Sequence, residues 1–306
     1  MTESRHEEII LTADDGHAIH VRAWKPAGDP VGTIQLLHGM GEHIVRYERF
    51  ATSAVARGYA VFGHDHRGHG VSKGQRGHFA DENGWHRIVE DVRLVNDHIS
   101  GTSASKPLFL LAHSMGSFIG QAFAMHHGER LTGLLLSGSS WPQRAQLVPG
   151  RLLAKLESWR LGKKGHSALI NALGFGAFNR RFRPVRTEMD WLSRDEAEVD
   201  RYVEDPLCGG PFTCGLWYDF MGGLFELGSR HSLARIPADL PILITGGGAD
   251  PVGGEKGMTQ LARQYRQTSH ERVKLKIYPE GRHEMLNEVN RDEVTTDWLD
   301  WIEAQT

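Results

Sequence analysis

Six short apolar runs punctuate the chain: TIQLL (33–37), YAVFG (59–63), LFLLA (108–112), LTGLLL (131–136), PILIT (241–245) and VKLKIY (273–278). Continuous apolar runs of this length, alternating with helical stretches, predict strands laid parallel and covered on both faces. Tyr47, Phe50, Ala51, Ala54 and Val55 recur at helical spacing, as do Trp85, Ile88, Val89, Val92 and Val95. Each set predicts an amphipathic helix that covers the sheet. Val294, Trp298 and Ile302 predict a last helix beside the final strand. Ahead of the first run, Glu7 to Leu11 and His17 to Trp24 flank the turn-forming Asp14, Asp15 and Gly16, the pattern of an antiparallel hairpin.

From Ser140 to about Leu240 the alternation lapses into weakly periodic helices with many arginines and glycines and the breakers Pro184, Pro206 and Pro211. No Gly/Ser-rich or Pro-rich linker follows, so the two later runs are expected to rejoin the first sheet. The expected architecture is α/β: a mostly parallel central sheet with helices on both faces. Residues 1–140 and 241–306 form the core, and 141–240 form an inserted, mainly helical cap.

With 306 residues, 40% hydrophobic, 24% charged and a formal charge of -3, the composition is that of an ordinary globular chain. It supplies no basic excess for nucleic acid. The stretch MTESRHEEIILTADDG has no apolar core behind a basic end, and no run approaches the ~18 residues of a membrane span. The expectation is a cytoplasmic protein in which Cys208 and Cys214 are free thiols. Charge is uneven locally. Between positions 142 and 186, Arg144, Arg151, Lys155, Arg160, Lys163, Lys164, Arg180, Arg181, Arg183 and Arg186 face one acid, Glu157, near Leu169, Ile170, Leu173, Phe175 and Phe178. That combination suits an anionic lipid surface or a phosphate-bearing substrate, and it also suits a solvated helix face over core residues.

The segment LFLLAHSMG places Ser114 between an apolar strand and a helical pattern through Phe118, Ile119, Ala122 and Phe123. A serine on such a sharp strand-to-helix turn is pushed out of the sheet, and small residues two before and two after it avoid collisions. Ala112 stands where the GxSxG pattern has its first glycine, one methyl larger. A second segment, LLHGMGEH (36–43), also follows a strand, and its glycines let backbone N–H groups point at a substrate oxygen. The amides of Met40 and Met115 are the expected oxyanion hole. Of the histidines beyond the nucleophile helix, His283 lies just past the last predicted strand, where a loop can reach Ser114. Asp250, in ILITGGGADPV, follows a strand likewise and is the expected partner of His283, the competing role being an Asx turn. His64, Asp65, His66 and His69 superficially resemble a metal cluster, but no separate histidine and carboxylate set of clear metal spacing accompanies them, and neutral turn histidines explain the pattern as well. No cofactor or metal is expected.

Taken in order, HGMGEH with YERFA, GYAVFGHDHRGHGVS, AHSMG, GGGADPV and YPEGRHEMLNE resemble the monoacylglycerol lipase and lysophospholipase group of α/β hydrolases from about Thr33 to Glu288. The resemblance implies hydrolysis of a long-chain acyl ester without cofactor, under a cap that forms an apolar tunnel. It also implies that Asp65, Arg67 and Ser72, in DxRGHGxS, brace the loop near the site. On fold alone, a general carboxylesterase, a peptidase or a lactonase remains open.

Overall fold

In the computed structural model, which describes residues 5–102, 106–176 and 178–306, every predicted apolar run is a strand. The strands are β1 (Arg5–Thr12), β2 (Ala18–Lys25), β3 (Gly32–Leu37), β4 (Tyr59–His64), β5 (Leu108–His113), β6 (Gly133–Ser137), β7 (Ile242–Gly247) and β8 (Val273–Tyr278). They lie side by side in the order β1-β2-β4-β3-β5-β6-β7-β8. The hairpin β1–β2 pairs antiparallel, with Ile9 opposite Val21, and β2 runs antiparallel to β4. From β4 to β8 all pairs are parallel.

Strands β3 to β7 are buried along their whole length because helices cover both faces. Side chains alternate between faces with the strand period of two. Leu110 and Ala112 join one core with Ile88 and Val92 of α2 (Gly84–Thr102), Phe123 of α3 (Met115–His127) and Leu261 of α9 (Gly254–Arg266). Phe109 and Leu111 join the other with Phe50 and Ala54 of α1 (Glu48–Ala56) and Trp298 and Ile302 of α10 (Arg291–Glu303).

Between β6 and β7 the chain forms α4 (Arg144–Leu161), α5 (Ala168–Phe175), α6 (Glu196–Glu204), α7 (Cys214–Leu227) and α8 (Arg230–Leu233). It rejoins the sheet at the neighbouring position, with Leu134 of β6 beside Ile242 of β7. Helix α7 packs on α4 and also on α2 and α3, while Glu198 of α6 pairs with Arg49 of α1. Cys208 and Cys214 are free and buried. Among the described residues no helix is long and apolar enough to cross a membrane.

This topology concentrates four loops. The chain passes from β3 to β4 on one side and then to β5 on the other, a switch point at which loops diverge and leave a crevice at the carboxyl ends of the strands. Met40 follows β3, Ser114 follows β5, Asp250 follows β7 and His283 follows β8, so all four leave the same edge.

Candidate active site

Ser114 is the hinge between β5 and α3, with φ 51° and ψ -121°, a conformation side-chain-bearing residues rarely adopt. The surroundings hold it there. Its N–H donates to Ser137 O on β6 at 2.9 Å, and its carbonyl accepts from the N–H and hydroxyl of Ser117 at 2.8 and 2.6 Å. A Cβ on Gly116 would stand 2.6 Å from the carbonyl oxygens of Leu37 and His38, so only glycine fits where α3 crosses β3. The departure at Ala112 is accommodated by Gly120, where an added Cβ would come within 3.0 Å of the Ala112 methyl. Room lost two residues before the serine is recovered on the facing helix.

The Ser114 hydroxyl lies 2.8 Å from His283 Nε2, and His283 Nδ1 lies 2.9 Å from Asp250 Oδ2. A carboxylate can only accept, so Nδ1 carries the proton and Nε2 is free to take one from Ser114. Asp250 Oδ1 accepts from Val252 N–H at 2.8 Å, so the residue makes an Asx turn and holds the histidine with separate oxygens. Burial alone would lower the pKa of His283, but the charge and hydrogen bond of Asp250 more than compensate and raise it above the ordinary histidine value. Beside it, His113 is pushed down to about 4, first by burial and then by the charge of His283.

The turn after β3 is fixed from two sides. His38 Nε2 accepts from His66 N–H at 2.9 Å, which leaves Nδ1–H to donate to Gly39 O at 2.7 Å. The peptide linking Gly39 to Met40 is planar and trans, so the Met40 N–H points opposite to that tethered carbonyl. Met40 and Met115 line the same cavity as Ser114. The Met115 amide opens α3, where N–H groups have no helical acceptor and the helix dipole is positive. Gly41 adopts φ +76°, and its carbonyl accepts from Tyr202 OH at 2.8 Å and Gly209 N–H at 2.7 Å, tying the turn to the inserted segment.

The residues of DxRGHGxS take bracing positions. Asp65 accepts from Ile44 N–H at 2.8 Å and Val71 N–H at 2.9 Å, clipping the turn after β3 to the following loop. Arg67 pairs with the buried Asp91 at 2.7 Å and with Asp15 at 2.5 Å, and Ser72 Oγ lies 3.1 Å from His17 Nε2. Burial pushes His64 and His69 down to about 3 and holds His66 well below the ordinary histidine value, so these are neutral core histidines. Among the described residues, the three-donor set within 4.8 Å is a different one: His43, Asp205 and Cys208. There His43 Nε2 already meets Asp205 Oδ2 at 2.8 Å, and burial raises the Cys208 thiol pKa, which disfavours the thiolate a metal needs.

Above Ser114 lies a cavity of about 260 Å³ with walls from both parts of the chain. Phe118 of α3, Leu147 of α4 and Trp217, Phe220 and Leu224 of α7 line it, the Phe118 and Phe220 rings packing edge to face at 6.0 Å. Sequence reasoning missed Trp191 and Leu192, which also line the cavity. The Trp191 ring is centred 5.0 Å from that of His283, and Leu192 O accepts from Glu284 N–H at 2.8 Å. Arg194 Nε donates to the buried Glu288 at 2.9 Å, and Ser193 Oγ to Asn287 O at 2.8 Å. The segment around 191–194 therefore runs along the histidine loop, a contact that no local periodicity announces.

Comparison with known proteins gives a consistent picture. A family model described as Serine aminopeptidase, S33 matches residues 28–290, which include Met40, Ser114, Met115, Asp250 and His283. The monoglyceride lipase of Homo sapiens is 32% identical over 280 residues, covering 90% of this chain and 83% of that protein. The monoacylglycerol lipase of Mycolicibacterium smegmatis is 29% identical over 307 residues, 99% of each chain. A thermostable carboxyl esterase from Bacillus coagulans, solved in complex with glycerol, superposes with a TM-score of 0.90 at 27% identity, covering 98% of both chains.

Proposed function

The chain belongs to the serine aminopeptidase S33 family of α/β hydrolases, and from that premise we propose that it cleaves carboxylic esters of lipid-like substrates, monoacylglycerol or lysophospholipid, through an acyl-enzyme on Ser114. That it is an ester hydrolase follows from the family together with the lipase relatives and the carboxyl esterase neighbour. The observation that carries the serine mechanism is the continuous relay from Ser114 Oγ to His283 at 2.8 Å and from His283 to Asp250 at 2.9 Å, at the floor of an apolar cavity.

In this reading Ser114 Oγ attacks the ester carbonyl while its proton passes to His283 Nε2. The amides of Met40 and Met115 hold the oxyanion, Asp250 stabilises the imidazolium, and His283 then protonates the departing alcohol. Water activated by His283 releases the fatty acid and frees Ser114. Residues 141–240 serve as the cap, since Leu147, Trp217, Phe220 and Leu224 furnish the apolar wall. Aminopeptidase action fits the cavity less well. It requires an anionic group for the substrate's α-ammonium, and the two acids lining the cavity, Glu42 and Glu284, are both paired with Arg46. A panel of monoacylglycerols of rising chain length, lysophospholipids, short p-nitrophenyl esters and aminoacyl p-nitroanilides tests the assignment. Long-chain monoacyl esters should give the highest kcat/KM, with a fluorophosphonate label on Ser114. Fastest turnover of short p-nitrophenyl esters would make it a general carboxylesterase, and anilide cleavage without ester cleavage a peptidase.

The cap also presents a surface suited to an anionic lipid interface. Val148, Leu152, Leu156 and Trp159 fall on one face of α4 and are exposed, Trp159 by 88%. On α5, Leu169 and Leu173 are exposed too, while the side chain of Phe175 lies outside the described residues. Folding offsets part of the basic excess counted along the sequence: Lys164 pairs with Asp81 at 2.9 Å, and Arg186 with Asp200 at 2.5 Å. An exposed apolar stripe on a helix that also carries the exposed Lys155 fits a membrane better than it fits a solvated face. The protein should pellet with phosphatidylserine vesicles more than with phosphatidylcholine vesicles, and less as salt shortens the Debye length from ~10 Å at 0.1 M. Trp159→Ser, or Arg180→Glu with Arg181→Glu, should reduce pelleting. Equal pelleting with both vesicle types, or indifference to these changes, would leave the face as ordinary surface.

A further inference from the structure

Three buried charged side chains lie between the turn that carries Met40 and the loop that carries His283, and the relay from serine to aspartate does not use them. The side chains of Glu42, Arg46 and Glu284 are 3%, 11% and 6% exposed. Glu42 Oε1 accepts from Gly39 N–H at 2.6 Å and from Tyr47 OH at 2.8 Å, and its Oε2 accepts from Arg46 at 2.8 Å. The Arg46 fork donates to both Glu284 oxygens, at 2.7 and 2.6 Å, and Asn287 Nδ2 donates to Glu284 at 2.9 Å. Glu284 is the neighbour of His283 in sequence, so one unbroken chain of charge-assisted bonds joins the two loops.

Resting on the function proposed above, we propose that Glu42, Arg46 and Glu284 are positioning residues, an ion-paired clasp that holds the Met40 amide and the His283 imidazole in one reactive geometry. The clasp acts on the peptide units around Gly39. Glu42 fixes the Gly39 N–H and His38 fixes its carbonyl, so the direction of the Met40 N–H is set before substrate arrives. Donors oriented in advance need no reorganisation as charge develops, which is where oxyanion stabilisation gains most. A purely stabilising ion pair is a weaker account, because buried pairs commonly break even against apolar replacements of similar volume.

The clasp also has an electrostatic consequence. Two carboxylates against one guanidinium leave a buried negative charge beside His283, in addition to Asp250. Burial would raise Glu284, but the charge and hydrogen bonds of Arg46 hold it down at about 2, so it is anionic throughout the working range. Both Glu284 and Glu42 favour the imidazolium of His283, after the larger effects of burial and Asp250. The other titratable groups facing the clasp, among the described residues, are Tyr47 and Tyr202, whose ring centre lies 4.9 Å from the Arg46 guanidinium, both raised by burial, Cys208, likewise raised, and neutral His113.

Two variants separate geometry from charge. Glu284→Gln should lower kcat by about tenfold or more, less than the ~10²-fold that outright loss of an oxyanion donor costs, with KM changed less than about twofold. Removing its charge should also move the acid limb of the kcat/KM profile to lower pH. Arg46→Lys keeps the positive charge but cannot fork, so kcat should fall while the acid limb stays near its wild-type position. Should Glu284→Gln fail to fold, Arg46→Lys alone decides through its split between kcat and KM. Unchanged kcat in a folded variant, or losses that merely follow the melting temperature, would overturn the clasp. Fluorophosphonate labelling of wild-type Ser114 is the parallel control: if it is absent, the serine assignment fails, and if it is present, only the clasp is at stake.

Discussion

Ser114→Ala is expected to cost roughly 10⁶-fold in kcat, because nucleophile and base act as a unit and neither works without the other. The substitution should leave the fold intact. Ser114 contributes no side-chain helix cap, and its hydroxyl meets His283, so alanine removes the attacking oxygen and little else. The strained backbone at φ 51° is retained by Ser137, by Ser117 and by the tight glycine at 116, none of which the change touches. The cavity and backbone donors remain, so the variant should still bind substrate and keep a small rate above water. Turnover of the best ester from the panel, alongside thermal melting, measures both halves. More than a tenth of wild-type activity in a variant that melts normally would remove Ser114 from the mechanism.

Much of the arrangement behind this expectation is legible in the residues themselves, for a physical reason. Strands buried on both faces must be apolar throughout, so the runs ending at Leu37, Ala112 and Thr245 could be read directly, and with them the loops that carry Met40, Ser114 and Asp250. Helix α9 escaped that reading, although Met258, Leu261, Ala262 and Tyr265 bury one face at helical spacing. Glycines at 253, 254 and 257 weaken the helical signal of its first turn. What the sequence hides is contact between distant polar groups. Arg46 and Glu284 are 238 residues apart, and Asp81 reaches Lys164 from outside the stretch whose charge was counted. Trp191 stands over His283 because the backbone around 191–194 follows the 282–288 loop, and neither partner has a pattern that names the other. Ala112 is the converse case, since its compatibility with the turn depends on Gly120 eight residues later.

Asp250→Asn is expected to lower kcat by about 10⁴-fold, a loss that follows from which oxygen does what. Oδ1 accepts from Val252 N–H at 2.8 Å, and an asparagine must keep its carbonyl oxygen there or leave that donor unpaired. Its NH₂ group then occupies the place of Oδ2, 2.9 Å from His283 Nδ1, and can only donate. The imidazole is forced to accept at Nδ1 and to carry its proton on Nε2, where it faces Ser114 and cannot serve as a base. The charge is lost as well. Asp250 is what lifts His283 above its ordinary pKa against the opposing pull of burial, so without it that pKa falls. Activity requires neutral His283 and declines as pH drops through its pKa, so the residual acid limb should lie at lower pH than in the wild type. Were Asp250 only an Asx-turn residue, asparagine would preserve the turn and the rate would hardly change. A pH profile of kcat/KM for the folded variant separates the two roles, and retention of near wild-type rates would return Asp250 to the turn alone.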